Sequence, residues 1–222
     1  NIIQNVLSPF KPLPDVVHRI TAFAGSGKTH TLRLLASAYP SLKILYLTFN
    51  RDDDPLASEK DNKGFPSNVV RQTTCSIARK ETQAMGNFEE PRKKVVRDFL
   101  ERRLGHSLNY KVVDVVLGTA NAWMMSSDPE LSEEHVRKGE VCELKPEFRA
   151  LDFVKLAKAL YDAMIDPHCH EISMTHSTYL KKFVLSGAEI TCKSGGPFDA
   201  ILLDEAQDVN MVTLQMLLAQ PG

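Results

Sequence analysis

Two short runs carry residue types that do chemistry on phosphate. The first is Ala22-Phe23-Ala24-Gly25-Ser26-Gly27-Lys28-Thr29. Its glycines let backbone N–H groups turn inward around an anion, and a helix starting there would add the positive end of its dipole. Lys28 would reach the outer phosphates of a nucleoside triphosphate, and the Thr29 hydroxyl would ligate Mg²⁺. The expected ATP cradle is thus Ala24, Gly25, Ser26, Gly27, Lys28, Thr29 and His30. The second run, Ile201-Leu202-Leu203-Asp204-Glu205-Ala206-Gln207-Asp208, ends an apolar stretch in acids. Phosphoryl transfer needs a carboxylate to hold the metal and a base or water-positioning group beside it. Asp204 suits the first task and Glu205 the second. Gln207 would sense the γ-phosphate or the attacking water. An acid pair alone is an ordinary solvated strand end; the phosphate loop is what gives this pair a partner.

These runs must be held by a sheet. Val16–Phe23 reads as an apolar strand feeding the loop, and Thr29–Tyr39 as the helix after it, with Leu32, Leu35 and Ala36 on one face and Pro40 at its end. Lys43–Phe49 reads as a second, buried strand and Asn68–Thr74 as a third. Asn50–Pro66 is polar, a loop or short helix, and Ser76–Met85 is helical. From Glu89 to Ser186 the pattern is helical almost throughout, with helices over Pro91–Leu104, Val112–Met125 and Glu147–Ile165 and a polar connector over Ser126–Pro146. Phe198–Leu203 is the strand that delivers the acids, and a helix over Thr213–Ala219 follows. The order implies an α/β fold with a parallel sheet and a large helical insertion. The expected division is 1–88 and 186–222 for the nucleotide-binding domain, with 89–185 for the insertion.

Composition removes several classes. The chain has 222 residues, with 27 Lys+Arg against 28 Asp+Glu and a net charge of −1. A globally basic nucleic-acid binder is excluded; a local basic groove is not. At 43% hydrophobic and 25% charged, the chain is not a disordered tail, a collagen or a coiled coil. Cys75, Cys142, Cys169 and Cys192 have no CxxC spacing, which points to a reduced, intracellular chain. No apolar run approaches the roughly 18 residues of a membrane span, and no secretory leader is visible. The close spacing of His168, Cys169 and His170 fits no common zinc pattern and reads as a polar linker.

These motifs resemble those of superfamily 1 helicases of the UvrD/Rep type. DEAQD at 204–208 is far more specific than a generic acid pair, and AGSGKT at 24–29 matches the family's first motif. Leu47-Thr48-Phe49-Asn50 looks like its motif Ia and Thr73-Thr74-Cys75-Ser76-Ile77-Ala78 its motif Ib. Within the group, AFAGSGKT at 22–29, TFNR at 48–51, FPSNV at 65–69 and MTHSTYLKKFVLSG at 174–187 resemble the F-box DNA helicase branch. The resemblance covers nearly the whole chain. It implies a RecA-like domain with a helical insertion, driven by ATP and Mg²⁺ along single-stranded DNA. Lys28 and Thr29 would hold phosphate and metal, Asp204 the metal, and Glu205 would activate water. Gln4 would read adenine. Phe49, Asn50, Arg51 and Thr74 would line the DNA path. It further implies a nuclear, monomeric protein with repair or recombination partners. Independently, Phe49 with Arg51, Arg71, Arg79 and Lys80 offers the aromatic-plus-cation mix that single-strand grooves use.

The chain departs from the family at three places. Cys75 stands where motif Ib has His. Asp52-Asp53-Asp54 follows motif Ia where small and basic residues are expected, and would repel phosphate. The second RecA-like domain and its arginines lie outside these residues, so a fragment nearly inactive by itself is expected. Two rival readings stand beside the helicase: a P-loop kinase, and a truncated, catalytically incompetent fragment acting as a DNA- or protein-binding module.

Overall fold

The structure, a computed structural model, describes residues 17–21, 23, 25–48, 64–83, 88–192 and 195–220. They form two compact units. One comprises the described residues up to Ile77, with Glu189–Val209 and those from Leu217 on; the other is Ala78–Ala188 with Asn210–Met216.

The first unit is built on a parallel sheet of order β2-β1-β3, from β1 (Ile44–Thr48), β2 (Val69–Thr73) and β3 (Ala200–Leu203). Central β1 pairs Ile44 with Val69 on one side and with Ala200 on the other. Its residues Ile44 to Leu47 are all buried, as a strand covered on both faces requires. Lys43 locks the third strand's entry: its N–H donates to the Asp199 carboxylate at 2.7 Å, and its carbonyl accepts from Asp199 N at 2.9 Å. Helix α1 (Lys28–Ala38) follows the glycine-containing turn at 25–27. Ala36, Ile44, Tyr46, Phe65 and Val69 form this unit's buried cluster, with Leu32 and Leu202 packed on it.

The strand expected over 16–23 does not form among its described residues. Val17 and Phe23 are 75% and 91% exposed, and the sheet holds three strands without this segment. An apolar run becomes a strand only where a neighbouring edge takes its N–H and C=O groups.

Helix α2 (Thr74–Glu81) begins in the first unit and ends in the second. It starts on a reciprocal cap: Ser76 N donates to Thr73 Oγ1 at 3.1 Å, and Thr73 N to Ser76 Oγ at 3.2 Å. The helical unit then runs through α3 (Lys93–Leu104), α4 (Tyr110–Met125), α5 (Lys138–Cys142), α6 (Pro146–Arg149), α7 (Phe153–Ile165) and α8 (His176–Ser186). Helix α4 is its axis. It buries Val112, Val113, Val116, Ala120, Trp123 and Met124, and packs against α7 and α8. Asn109 caps its start by accepting from Val112 N at 3.0 Å. Thr175 and Thr178 form a capping box on α8.

Two expectations here are corrected. The helix read as continuous over 147–165 is two, because Asp152 accepts from Lys155 N at 2.8 Å and starts α7 afresh. The connector over 126–146 is folded: Val136 and Leu144 are buried, and a 3-10 turn spans Glu133–His135. Helix α9 (Met211–Leu218) ends the described chain, with Asn210 Oδ1 accepting from Thr213 N at 2.9 Å. No helix among the described residues is long and apolar enough to cross a membrane.

Candidate nucleotide-binding site

Backbone geometry shapes the Gly25–Gly27 loop. Gly25 and Gly27 hold φ of +73° and +87°, a region where a side chain is strained. Between them, Ser26 donates to the Phe23 carbonyl from both N (3.2 Å) and Oγ (2.7 Å), closing a tight turn. Gly27 is the N-cap of α1, brings no capping side chain, and is followed by no acid in the first turn. The leading N–H groups of α1 and its positive dipole end are therefore left for an anion.

The acids arrive from β3. Asp204 N donates to Leu47 O at 3.0 Å, carrying the ladder one residue past the strand. Its carboxylate is buried, at 6% exposure, which demands donors. It has three: Thr29 Oγ1 at 2.6 Å and Tyr46 OH at 2.7 Å on Oδ2, and Glu205 N at 3.0 Å on Oδ1. Glu205 sits at φ +50°, a left-handed conformation that a side chain resists by about 1–2 kcal/mol. Its Oε1 lies 3.6 Å from Lys28 Nζ, and its Oε2 accepts from Gln207 Nε2 at 2.6 Å. The Lys28 and Glu205 side chains are 23% and 43% exposed, so their pair adds at most about 1 kcal/mol of stability. Its significance is position: an ammonium and a carboxylate meet beside the Gly25–Gly27 loop.

The structure thus gathers Lys28, Thr29, Asp204, Glu205 and Gln207 at one end of the sheet. Gln207 contacts Glu205 and, at 3.4 Å, the Asp208 carboxylate. The Thr29 hydroxyl and the Asp204 carboxylate are the hard oxygen donors that a small divalent cation takes. His30 is exposed on the first turn of α1. Gln4, Ala24, Phe49, Asn50 and Arg51 lie outside the described residues. Thr74, expected on the DNA path, is buried at 1% exposure and presents no surface to a strand. Arg71, read as a phosphate contact, packs over the rings of Phe65 and Tyr46 at 5.5 and 5.8 Å. Arg33 lies 5.1 Å over Phe65.

Tyr46 is the residue that the sequence reading missed. The signal was a phenol in the otherwise aliphatic run of β1. Tyr46 pairs with Leu202, and Asp204, two positions on, shares that face. A buried hydroxyl needs a partner, and this is the acid it meets.

No protein-family model matches the chain, and no solved structure matches it. Curated proteins do. F-box DNA helicase 1 of chicken is 32% identical over 218 residues, 91% of this chain and 20% of that protein. F-box DNA helicase protein 1 of fission yeast is 26% identical over 229 residues, 93% of this chain and 24% of that protein. The chain therefore spans a fifth to a quarter of the length of these relatives. Over nearly all of its own length, its sequence is similar to the F-box DNA helicases.

Proposed function

We propose that this chain is the ATP-binding part of a DNA helicase or translocase: a RecA-like domain, here the sheet unit, carrying a helical insertion. The observation that carries this is the contact of Thr29 with Asp204 at 2.6 Å beside that of Lys28 with Glu205 at 3.6 Å. The phosphate loop and the acids lie at opposite ends of the sequence, and the parallel sheet brings them together.

In this reading the Gly25–Gly27 backbone and the start of α1 bind the β- and γ-phosphates, and Lys28 adds a point charge to them. Thr29 and Asp204 would hold Mg²⁺, which neutralises triphosphate charge when bound. Tyr46 and Glu205 N fix the orientation of the Asp204 carboxylate. Glu205 accepts the proton of the attacking water, and Gln207 holds the far oxygen of that carboxylate. Coupling to movement on single-stranded DNA, a nuclear location and repair partners extend the reading to the whole protein. They rest on the likeness to the named helicases.

The test is thermal unfolding of the chain with Mg²⁺–ATPγS, wild type against Lys28→Ala. A ligand that binds only the folded state adds about 2.7 kcal/mol at a hundredfold excess over Kd. A rise in melting temperature that Lys28→Ala abolishes is expected. No rise at millimolar nucleotide refutes the ATP site. Nucleotide binding without DNA-stimulated turnover in the full-length protein would leave a binding module instead.

A further inference from the structure

We infer that Arg79, Phe88 and His176, all in the helical unit, form a stacking platform for an unpaired base of single-stranded nucleic acid. Three planar groups lie against one another there. The Arg79 guanidinium sits 4.5 Å over the Phe88 ring. The His176 ring stacks on Phe88 with centroids 6.2 Å apart and planes 24° apart. Tyr179 meets both edge-on, at 5.1 Å from Phe88 and 5.5 Å from His176, and its hydroxyl bonds His176 Nδ1.

The exposures are graded from anchor to surface. Tyr179 is buried at 1%, Phe88 is half-buried, and Arg79 and His176 are exposed. The platform is therefore pinned from within by Tyr179, while its Arg79 and His176 members reach the surface. Arg79 stands in the last turn of α2, and His176 directly follows the capping residue of α8, so both rest on regular elements. Exposed planes held rigid in this way are surfaces on which a base stacks with little ordering cost. Arginine is suited to the outer layer because its guanidinium is flat and weakly hydrated.

The local charge says which force holds the strand. Lys80 pairs with Glu81 at 3.3 Å, Lys182 donates to the Thr82 carbonyl at 3.5 Å, and Glu89 and Glu90 follow Phe88. Cations and acids nearly balance. The platform thus grips a base face more than a phosphate, and its binding should depend weakly on salt. The choice of nucleic acid as partner rests on the helicase reading above; the platform's geometry does not.

The experiment compares a fluorescein-labelled oligothymidylate with an abasic strand of the same length, by anisotropy on the whole chain. Wild type is expected to prefer the base-bearing strand by about five- to a hundredfold. Arg79→Lys keeps the charge and loses the plane, so it should lose most of that preference, as should His176→Ala. Arg79 is exposed and Arg79→Lys should melt with the wild type, whereas His176→Ala also takes a partner from the buried Tyr179 hydroxyl, so its preference is read below its own melting temperature. Equal affinity for the two strands, no binding of either, or full preference kept in Arg79→Lys overturns the platform. Mg²⁺–ATPγS stabilisation, measured on the same samples, separates the two ideas. Stabilisation without base preference overturns the platform alone, and base preference without stabilisation overturns the nucleotide site alone.

Discussion

Replacing Tyr46 by Phe removes one oxygen atom from the core of the sheet unit. That oxygen donates to Asp204 Oδ2 at 2.7 Å, where the carboxylate is 6% exposed and cannot recruit water in its place. A hydrogen bond to a charged group contributes about 1.5–3 kcal/mol. Thr29 Oγ1 and Glu205 N remain, so the carboxylate keeps two of its donors. The expected loss is therefore about 2 kcal/mol. At a urea slope of about 2–3 kcal/mol per molar, the midpoint falls by roughly 0.5–1.5 M. In an Asp204→Asn background the acceptor is neutral, and the same change should lose only about 0.5–1.5 kcal/mol. A double-mutant cycle in urea, read by circular dichroism, therefore gives a coupling of about 1 kcal/mol. A loss below about 0.5 kcal/mol in both backgrounds would show that Asp204 does not depend on this phenol.

Burial holds the Lys181 ammonium at about 8, with Asp128 pulling the other way, while its ordinary value is 10.5. Between those values the unfolded chain binds the extra proton, so unfolding free energy rises with pH, by about 3 kcal/mol at most. Tyr161, pushed well above its usual value by burial and then by Asp162, gives the opposite slope only above about pH 10. Urea titrations from pH 7 to 10 should show the rise, and Lys181→Met should flatten it; a flat wild-type profile sinks the argument. Asp152→Ala should destabilise α7 by about 1 kcal/mol, with Asp152→Ser close to wild type, because the lost group is a cap on Lys155 N. Equal losses in the two variants would mean that the cap is not what is being removed.

The candidate site was legible where chemistry fixes residue type. A loop for phosphate would use the Gly-Ser-Gly-Lys-Thr run, and Asp204 and Glu205 follow an apolar strand, half-buried in the structure, whose end delivers them. Their meeting was legible too, since parallel strands put their carboxyl ends together. Tyr46 was not, because its role depends on strand register, which one sequence does not display. Arg71 and Arg79 were read as phosphate contacts from charge alone. In the structure each lies over an aromatic ring, a use of arginine that leaves no spacing signature. The helical run divided at Asp152 because one side-chain acceptor outweighed an unbroken apolar periodicity. The strand expected at 16–23 had the right residues, but its described residues join none of the described strands.

Lys182 bonds the carbonyl of Thr82 across 100 positions, which ties the end of the helical unit to its beginning. Lys43 and Asp199, which join β1 to β3, are separated by 156 positions, and most of the intervening chain is the helical unit. Closing so long a loop is slow, but a helical unit that has already folded shortens it. Removing 100 of those positions lowers the closure entropy by about 1 kcal/mol, a severalfold gain in rate. The unit's own contacts are more local, so it is the part suited to form first. Asp204 and Glu205 follow β3, the strand whose pairing with β1 closes that long loop. A lesion deep in the helical core, far from Asp204 and Glu205, would then be expected to slow the strand pairing that brings these two acids beside Lys28 and Thr29.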